Sequence, residues 1–410
     1  MHTLSTLPQI LMLTPYLPYP PLSGGRSRTY NIVRQLCGEF QFTLVCFGRP
    51  EERSFDLAPM RELCELIVID RDASPGTLKA ALLSLTSVKP ITMRLYTNTA
   101  MRDQLAQLCR ERNFEAVHVE SFYMVQNLPA DLPAPVLLSE PSIEYKAWQR
   151  FARVAKPIFQ RPAVALESFK MRYWEAQTWR QVARVGVMSE VDAQLVHRLT
   201  PEAITTETPN GVDTEYFHDL GIPREPDTAV YLGDYKYFPN VEAIDYFMRD
   251  ILPLIRAERP NFTLTLVGKD IPPAFIELGK QPDSGLKIAG LVDDTRPYLC
   301  GASVFICPQR SGGGTRFKLL ESMACGCPVV STTLGAEGLG ATHGEHLLIA
   351  DTPKTFADAV IQLLKAPARA SEIGQAAREF IRARHSWGRS AERVRAVYHE
   401  LSALNAEAQN

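Results

Sequence analysis

Short apolar runs alternate with longer amphipathic stretches along this chain. Gln9–Thr14, Gln41–Phe47, Leu66–Asp70, Ala116–Glu120, Val136–Ser139 and Val185–Ser189 are each too short for a helix and nearly continuous in apolar residues. That pattern predicts strands covered on both faces, as in a parallel sheet. The same alternation resumes at Ala229–Gly233, Phe262–Gly268, Leu286–Val292 and Ala302–Cys307, and again after Pro328. Between and after the strands, Arg28–Cys37, Val241–Arg256, Phe356–Leu364, Ala370–Ala383 and Trp387–Leu404 read as helices. Strand–helix alternation of this kind means an α/β fold with parallel sheets. The turn-rich, proline-rich stretch Ile204–Asp227 separates the two series. Three parts are expected: an N-terminal Rossmann-like domain over 1–205, a second over 206–385, and a C-terminal helix over 386–410.

Composition narrows the class. At 410 residues, 45% hydrophobic and 22% charged, the chain is an ordinary globular protein of two or three domains. A net charge of −2 argues against nucleic-acid binding through bulk charge. The eight cysteines are scattered without a C-x-x-C pair, which fits a reducing cytoplasm. Cys325 and Cys327 are too close for a usual zinc pair, and His343-Gly-Glu-His346 has no further ligands near it in sequence. No positive segment precedes the first apolar run, so it reads as a strand and not a signal peptide. No apolar run approaches the ~18 residues of a membrane span.

Candidate chemistry concentrates in Pro308–Leu339. Gly312, Gly313 and Gly314 let the backbone turn sharply and approach a ligand. Thr315 is expected to open a helix that stops near Gly326 and Pro328. Its first N–H groups, at the positive end of the dipole, make an anion seat. Arg316 and Lys318 are cations at the wrong end of a helix for its dipole, which a bound diphosphate would explain. Glu321, one turn on, suits sugar hydroxyls. The plain alternative is an i,i+3 surface pair of Lys318 and Glu321 over a simple glycine loop. Upstream, Gly24 and Gly25 sit before a helix that begins with Arg26 and Arg28. That segment reads either as a proline-rich surface loop or as a second loop that approaches a ligand. No Gly-x-Gly-x-x-Gly is present, so a dinucleotide domain is not indicated.

The string Arg310-Ser-Gly-Gly-Gly-Thr-Arg-Phe-Lys-Leu-Leu-Glu-Ser-Met-Ala-Cys-Gly-Cys-Pro-Val-Val-Ser-Thr, with Gly335-Ala-Glu-Gly, resembles the donor-site signature of glycosyltransferases of family 4. The resemblance implies the GT-B fold, two Rossmann-like doubly wound domains facing a cleft, and a retaining transfer of a sugar from a nucleotide-diphosphate sugar to a hydroxyl acceptor. It places such work in polysaccharide, lipopolysaccharide or glycolipid assembly. It makes Arg316, Lys318 and Glu321 the catalytic residues, with Glu321 also on the ribose. Gly24, Gly25, Gly312, Gly313, Gly314, Thr315 and Lys236 would hold the diphosphate and sugar. Leu291 and Val292 would hold the nucleoside through backbone groups. His118 and Glu144 are taken as sugar or acceptor contacts. No metal and no cofactor are expected, since no Asp-x-Asp marks a donor loop. The chain departs from the family pattern at Pro141, Asp234 and Gly313, where members often carry a His, an Arg and a Glu.

Tyr145–Arg184 carries nine Lys or Arg and two acids. Lys146, Arg150 and Arg153 share one helical face; Tyr145, Trp148, Phe151 and Ala155 share the other. This reads either as a solvated basic face or as a peripheral contact with the inner face of the plasma membrane. Trp174 and Trp179 are expected in the core. Two other functions stay open: a nucleotide-sugar epimerase of the same fold, and a catalytically silent sugar- or lipid-binding partner on a transferase scaffold.

Overall fold

The computed structural model describes residues 7–71, 86–154 and 158–409. The chain divides into two compact units. One takes Met1–Asn210 and Trp387–Asn410, the other Gly211–Ser386. The divisions fall at 210/211 and 386/387, against the expected 205/206 and 385/386.

The first unit is built on seven strands: β1 (Gln9–Thr14), β2 (Gln41–Gly48), β3 (Glu65–Asp70), β4 (Ala116–Glu120), β5 (Val136–Glu140), β6 (Arg184–Val187) and β7 (Thr205–Glu207). They lie in the order β3-β2-β1-β4-β5-β6-β7, all parallel. Alternate residues of one strand point to opposite faces. Leu11 and Leu13 thus join Val45, Phe47, Val117 and Val119 in one apolar layer. Ile10 and Met12 join Phe42, Leu44 and Ala116 in the other. The second layer is closed by Ala391, Val394, Tyr398 and Leu401 of the last helix, Trp387–Gln409, with Tyr398 edge-on to Phe40 at 5.2 Å.

The second unit repeats the plan with β8 (Glu225–Asp234), β9 (Thr263–Lys269), β10 (Leu286–Gly290), β11 (Ala302–Cys307), β12 (Val329–Ser331) and β13 (Leu348–Ile349). Their order is β10-β9-β8-β11-β12-β13, again parallel. Ala229 and Tyr231 face the helices Phe238–Tyr246 and Pro353–Lys365; Val230 and Leu232 face the helix Phe317–Ala324.

The structure departs from the expected elements in three places. The helix expected over 241–256 is broken into Phe238–Tyr246, a π-helical turn Phe247–Ile251, and Leu252–Glu258. Pro253 lacks the N–H that would continue the ladder, and the wider turn absorbs the mismatch. β7 and β13 are short edge strands with too few apolar residues to stand out. In the 144–154 helix the aromatic side is turned inward. Tyr145 is buried, and Trp148 packs on the first unit's core. The face proposed for a membrane is therefore a packing face, and Ala155 lies outside the described residues. Trp179 is buried and Trp174 half-buried, its indole donating to Val88 O at 3.0 Å.

Candidate functional site

In an open parallel sheet, ligands bind at the carboxyl ends of the strands where the strand order reverses. In the second unit the chain runs outward from β8 to β9 and β10, then crosses back to β11. The reversal lies between β8 and β11. Asp234 ends β8 with Tyr231 three residues before it, and Gln309 with the glycine loop follows β11.

Lys318, in the first turn of the 317–324 helix, reaches over to β8. Its ammonium donates to Tyr231 OH at 2.8 Å and Asn240 Oδ1 at 2.7 Å, and lies 4.1 Å from the Tyr231 ring centroid. The same two acceptors are tied by Gln309 Nε2, at 2.8 and 3.0 Å, and to each other at 2.9 Å. An ammonium has three N–H donors. Two are engaged by this cradle, and the third meets no acceptor among the described residues. Burial pushes the Lys318 pKa down to about 7. Glu321, one turn on, is pushed up to about 7 by burial, against the pull of Lys318. The i,i+3 ion pair that the spacing allows does not form. Lys318 turns to β8, and the Glu321 carboxylate makes no hydrogen bond or ion pair with the described residues.

The glycine loop is shaped as its residues require. Gly312 and Gly314 have φ of +96° and +71°, which L side chains rarely adopt, and a Cβ on Gly312 would stand 2.8 Å from Tyr237 OH. Gly313 takes no such conformation. Two expectations are corrected here. The helix begins at Phe317 with Arg316 as its N-cap residue, so Gly314 and Thr315 lie ahead of it in the loop. Arg316 does not stand out toward an anion; its buried guanidinium donates to the carbonyls of Gly313, Gly314 (3.1 Å) and Ser311 (3.4 Å), bracing the loop. Lys236 is exposed and pairs at 3.5 Å with Asp270, at the end of β9, outside this cluster. Leu291 and Val292 follow β10, two strands from β8, where Leu291 is exposed and Val292 half-buried. Gly335 packs on the end of β11: a Cβ there would stand 2.8 Å from Cys307 O.

The corresponding reversal in the first unit lies between β1 and β4. Here Arg26 and Arg28 of the Gly24–Leu36 helix are turned inward. Arg28 is fully buried. It pairs with Glu120 at 3.4 Å and donates to Thr208 O (2.8 Å), Thr208 Oγ1 (3.1 Å), Ser139 Oγ (3.1 Å), Pro209 O (3.3 Å) and Asn210 Oδ1 (3.3 Å). Arg26 pairs with Glu52. His118 is also fully buried, with Nδ1 2.6 Å from Tyr398 OH and Nε2 3.3 Å from Glu120. It is a core residue. Burial alone would raise the Glu120 pKa, but Arg28 and His118 outweigh it and hold the carboxyl low. Gly24 begins the helix Gly24–Leu36, and a Cβ on Gly25 would stand 2.3 Å from Tyr16 OH, so Gly25 makes room for that ring.

Glu144 is half-buried, and burial raises its pKa to about 7. Near it, Glu175 accepts the N–H groups of Glu144 and Tyr145 at 2.7 and 2.8 Å, and Glu140 accepts Trp179 Nε1–H at 3.0 Å. Burial raises both, Glu140 to about 8. The folded chain thus holds protons that unfolded carboxyls, titrating near ~4.3, have lost. The stability from these groups is present below that pH and is lost as pH rises toward 8. Glu140→Gln should reduce the fall in Tm between pH 6 and pH 8 relative to the parent; an equal fall in both proteins would refute this assignment.

Tyr231, Asn240 and Gln309 escape a reading of the sequence, although Tyr231 lies in β8 and Gln309 just past β11, the two strands that flank the reversal.

Residues 226–366 match the family model for glycosyl transferases group 1. The chain is 27% identical over 240 residues to the phosphatidyl-myo-inositol mannosyltransferase of Mycobacterium tuberculosis, covering 56% of this chain and 62% of that protein. It is 28% identical over 159 residues to an uncharacterised 44.6 kDa protein in the cps region of Klebsiella pneumoniae, covering 37% and 41%. It thus spans less than two thirds of these relatives' lengths. Among solved structures, sucrose-phosphate synthase from Thermosynechococcus elongatus superposes with a TM-score of 0.71 at 17% identity, covering 97% of this chain and all of that one. Anabaena HepE in complex with UDP gives 0.66 at 12% identity, covering 96% and 100%. At these identities the likeness concerns architecture: two Rossmann-like parallel-sheet domains of the GT-B type.

Proposed function

We propose that this protein is a GT-B glycosyltransferase moving a sugar from a nucleotide-diphosphate sugar to a hydroxyl acceptor. The observation that carries the reading is the Lys318 cradle at the β8–β11 reversal, inside the segment that matches the transferase model. Lys318 meets the diphosphate with its remaining N–H, and a bound phosphate draws its depressed pKa back up. Arg316 holds the glycine loop in the shape that receives the phosphates. Glu321, ionised, accepts the ribose hydroxyls, and the backbone at Leu291 and Val292 lies toward the base. The charge of the leaving diphosphate is met by these groups, without a divalent cation. Transfer proceeds with retention: the acceptor oxygen bonds to the anomeric carbon on the face from which the diphosphate leaves, and the acceptor proton passes to a departing phosphate oxygen. The mycobacterial relative is named for a lipid acceptor, phosphatidyl-myo-inositol. That supports glycolipid or surface-polysaccharide assembly here, with a lipid-linked acceptor met peripherally at the cytoplasmic face of a membrane.

Thermal unfolding with UDP, GDP, ADP and dTDP, with magnesium or with chelator, tests the donor site. A ligand at ~100 times its Kd adds roughly 2.7 kcal/mol to the folded state. One nucleotide should stabilise the parent without magnesium, and Glu321→Ala should lose most of that shift. No stabilisation by any of the four would sink the reading.

A further inference from the structure

The helix Arg161–Trp179 buries one side on the first unit through Glu167, Ser168, Met171, Glu175, Thr178 and Trp179. Its opposite side is not polar. Leu166, Phe169 and Tyr173 follow helical spacing on one line and are 38, 68 and 56% exposed. The 3-10 turn Ile158–Gln160 ahead of the helix adds Ile158 and Phe159, at 70 and 79%. Large aromatic side chains left in water along one side of a helix mark an interaction surface.

The charges say what covers it. Arg172, exposed, borders the stripe, with half-buried Arg161 three turns earlier on the same line, and exposed Arg153 precedes both in the chain. The two acids of the 145–184 segment, Glu167 and Glu175, are both buried, Glu167 against Lys170. What faces outward is apolar with a basic border. A second copy of the chain meeting this side about a two-fold axis would set like charges against each other. An anionic bilayer supplies both an apolar phase and the opposite charge.

We propose that the 158–173 surface lies on an anionic lipid bilayer, with Phe159, Phe169 and Tyr173 inserted at the interface and Arg172 among the headgroups. This deepens the reading of a lipid-linked acceptor and rests on it. It also moves the contact from the 144–154 helix, whose aromatic side packs inward, to the helix that follows.

The test is co-sedimentation of the full chain with vesicles of phosphatidylcholine alone or mixed with phosphatidylglycerol, at low and raised salt. The parent should bind the mixed vesicles, bind less in salt, and leave phosphatidylcholine alone. Phe159→Ser with Phe169→Ser should weaken binding about tenfold or more, and Arg172→Gln should reduce the salt dependence. A parent that stays in the supernatant, or variants that bind as it does, overturn the proposal. So does light scattering showing a dimer that the serine variant dissociates, which assigns the face to a second copy. Nucleotide stabilisation, run on the same samples, should be unchanged in the variants. Vesicle binding by a chain that no nucleotide stabilises would overturn the transferase reading and leave the membrane surface standing.

Discussion

Lys318→Ala should lower sugar transfer by about 10²–10³-fold, the loss seen when one preorganised donor to a developing anion is removed. The same change should weaken binding of the nucleoside diphosphate. Its effect on folding should be small, because Gln309 continues to bond both Tyr231 and Asn240 once the ammonium is gone. Lys318→Arg is not a rescue. The cradle holds a compact ammonium at 2.7–2.8 Å from two oxygens, and a planar fork does not fit that geometry. The pH profile gives an independent check. Binding should be strongest near pH 7 and weaken on both sides, since Lys318 loses its charge above that pH and Glu321 loses its charge below it. The measurements are titration calorimetry with the stabilising nucleotide and steady-state turnover of the matching nucleotide sugar. A Lys318→Ala enzyme with parental turnover would place the diphosphate elsewhere.

Arg28→Ala should destabilise the first unit by roughly 3–5 kcal/mol, the cost of leaving a buried charge unpaired. Glu120 would keep His118 and Ser139 but lose its cation, and Thr208, Pro209 and Asn210 would lose their donor. The loss should be largest near neutral pH and shrink as pH falls. Glu120 is held below the ordinary carboxylate range, so its contribution is present above that range and disappears as pH drops. Arg28→Met combined with Glu120→Gln should recover part of the loss, since it removes both charges together. All four tryptophans, at 148, 174, 179 and 387, belong to the first unit. Tryptophan emission in urea therefore follows that unit alone. A shift below about 1 kcal/mol would fit a solvent-exposed pair and not a buried one.

The strands were legible because each is covered on both faces, which leaves an unbroken apolar signal in Gln9–Thr14 or Ala302–Cys307. The glycine loop was legible because only glycine accepts the backbone of Gly312 and Gly314. Side-chain destinations were not. Arg28 and Arg316 look alike in sequence, as cations beside glycines at a helix start, yet both are turned inward. The partners that turn Arg28 lie as far away as Asn210, and His118 meets Tyr398 across 280 positions. Lys318 stands out in sequence as a cation where the dipole gives it no reason to be, but its cradle is assembled from three separate elements. In the basic stretch, composition told that a cationic surface exists; only packing told which helix presents it.

The division of the chain at Asn210 and Ser386 also sets an order of events during synthesis. The second unit is one uninterrupted segment whose ends meet at the Val212–Ser386 bridge, so it has all its parts once residue 386 leaves the ribosome. The first unit, though made earlier, still lacks Ala391, Val394, Tyr398 and Leu401, which complete one of its two apolar layers. The half that is translated first is thus the half that folds to completion last, and until the final helix arrives Phe40 and Phe42 lack the Tyr398 ring that packs on them.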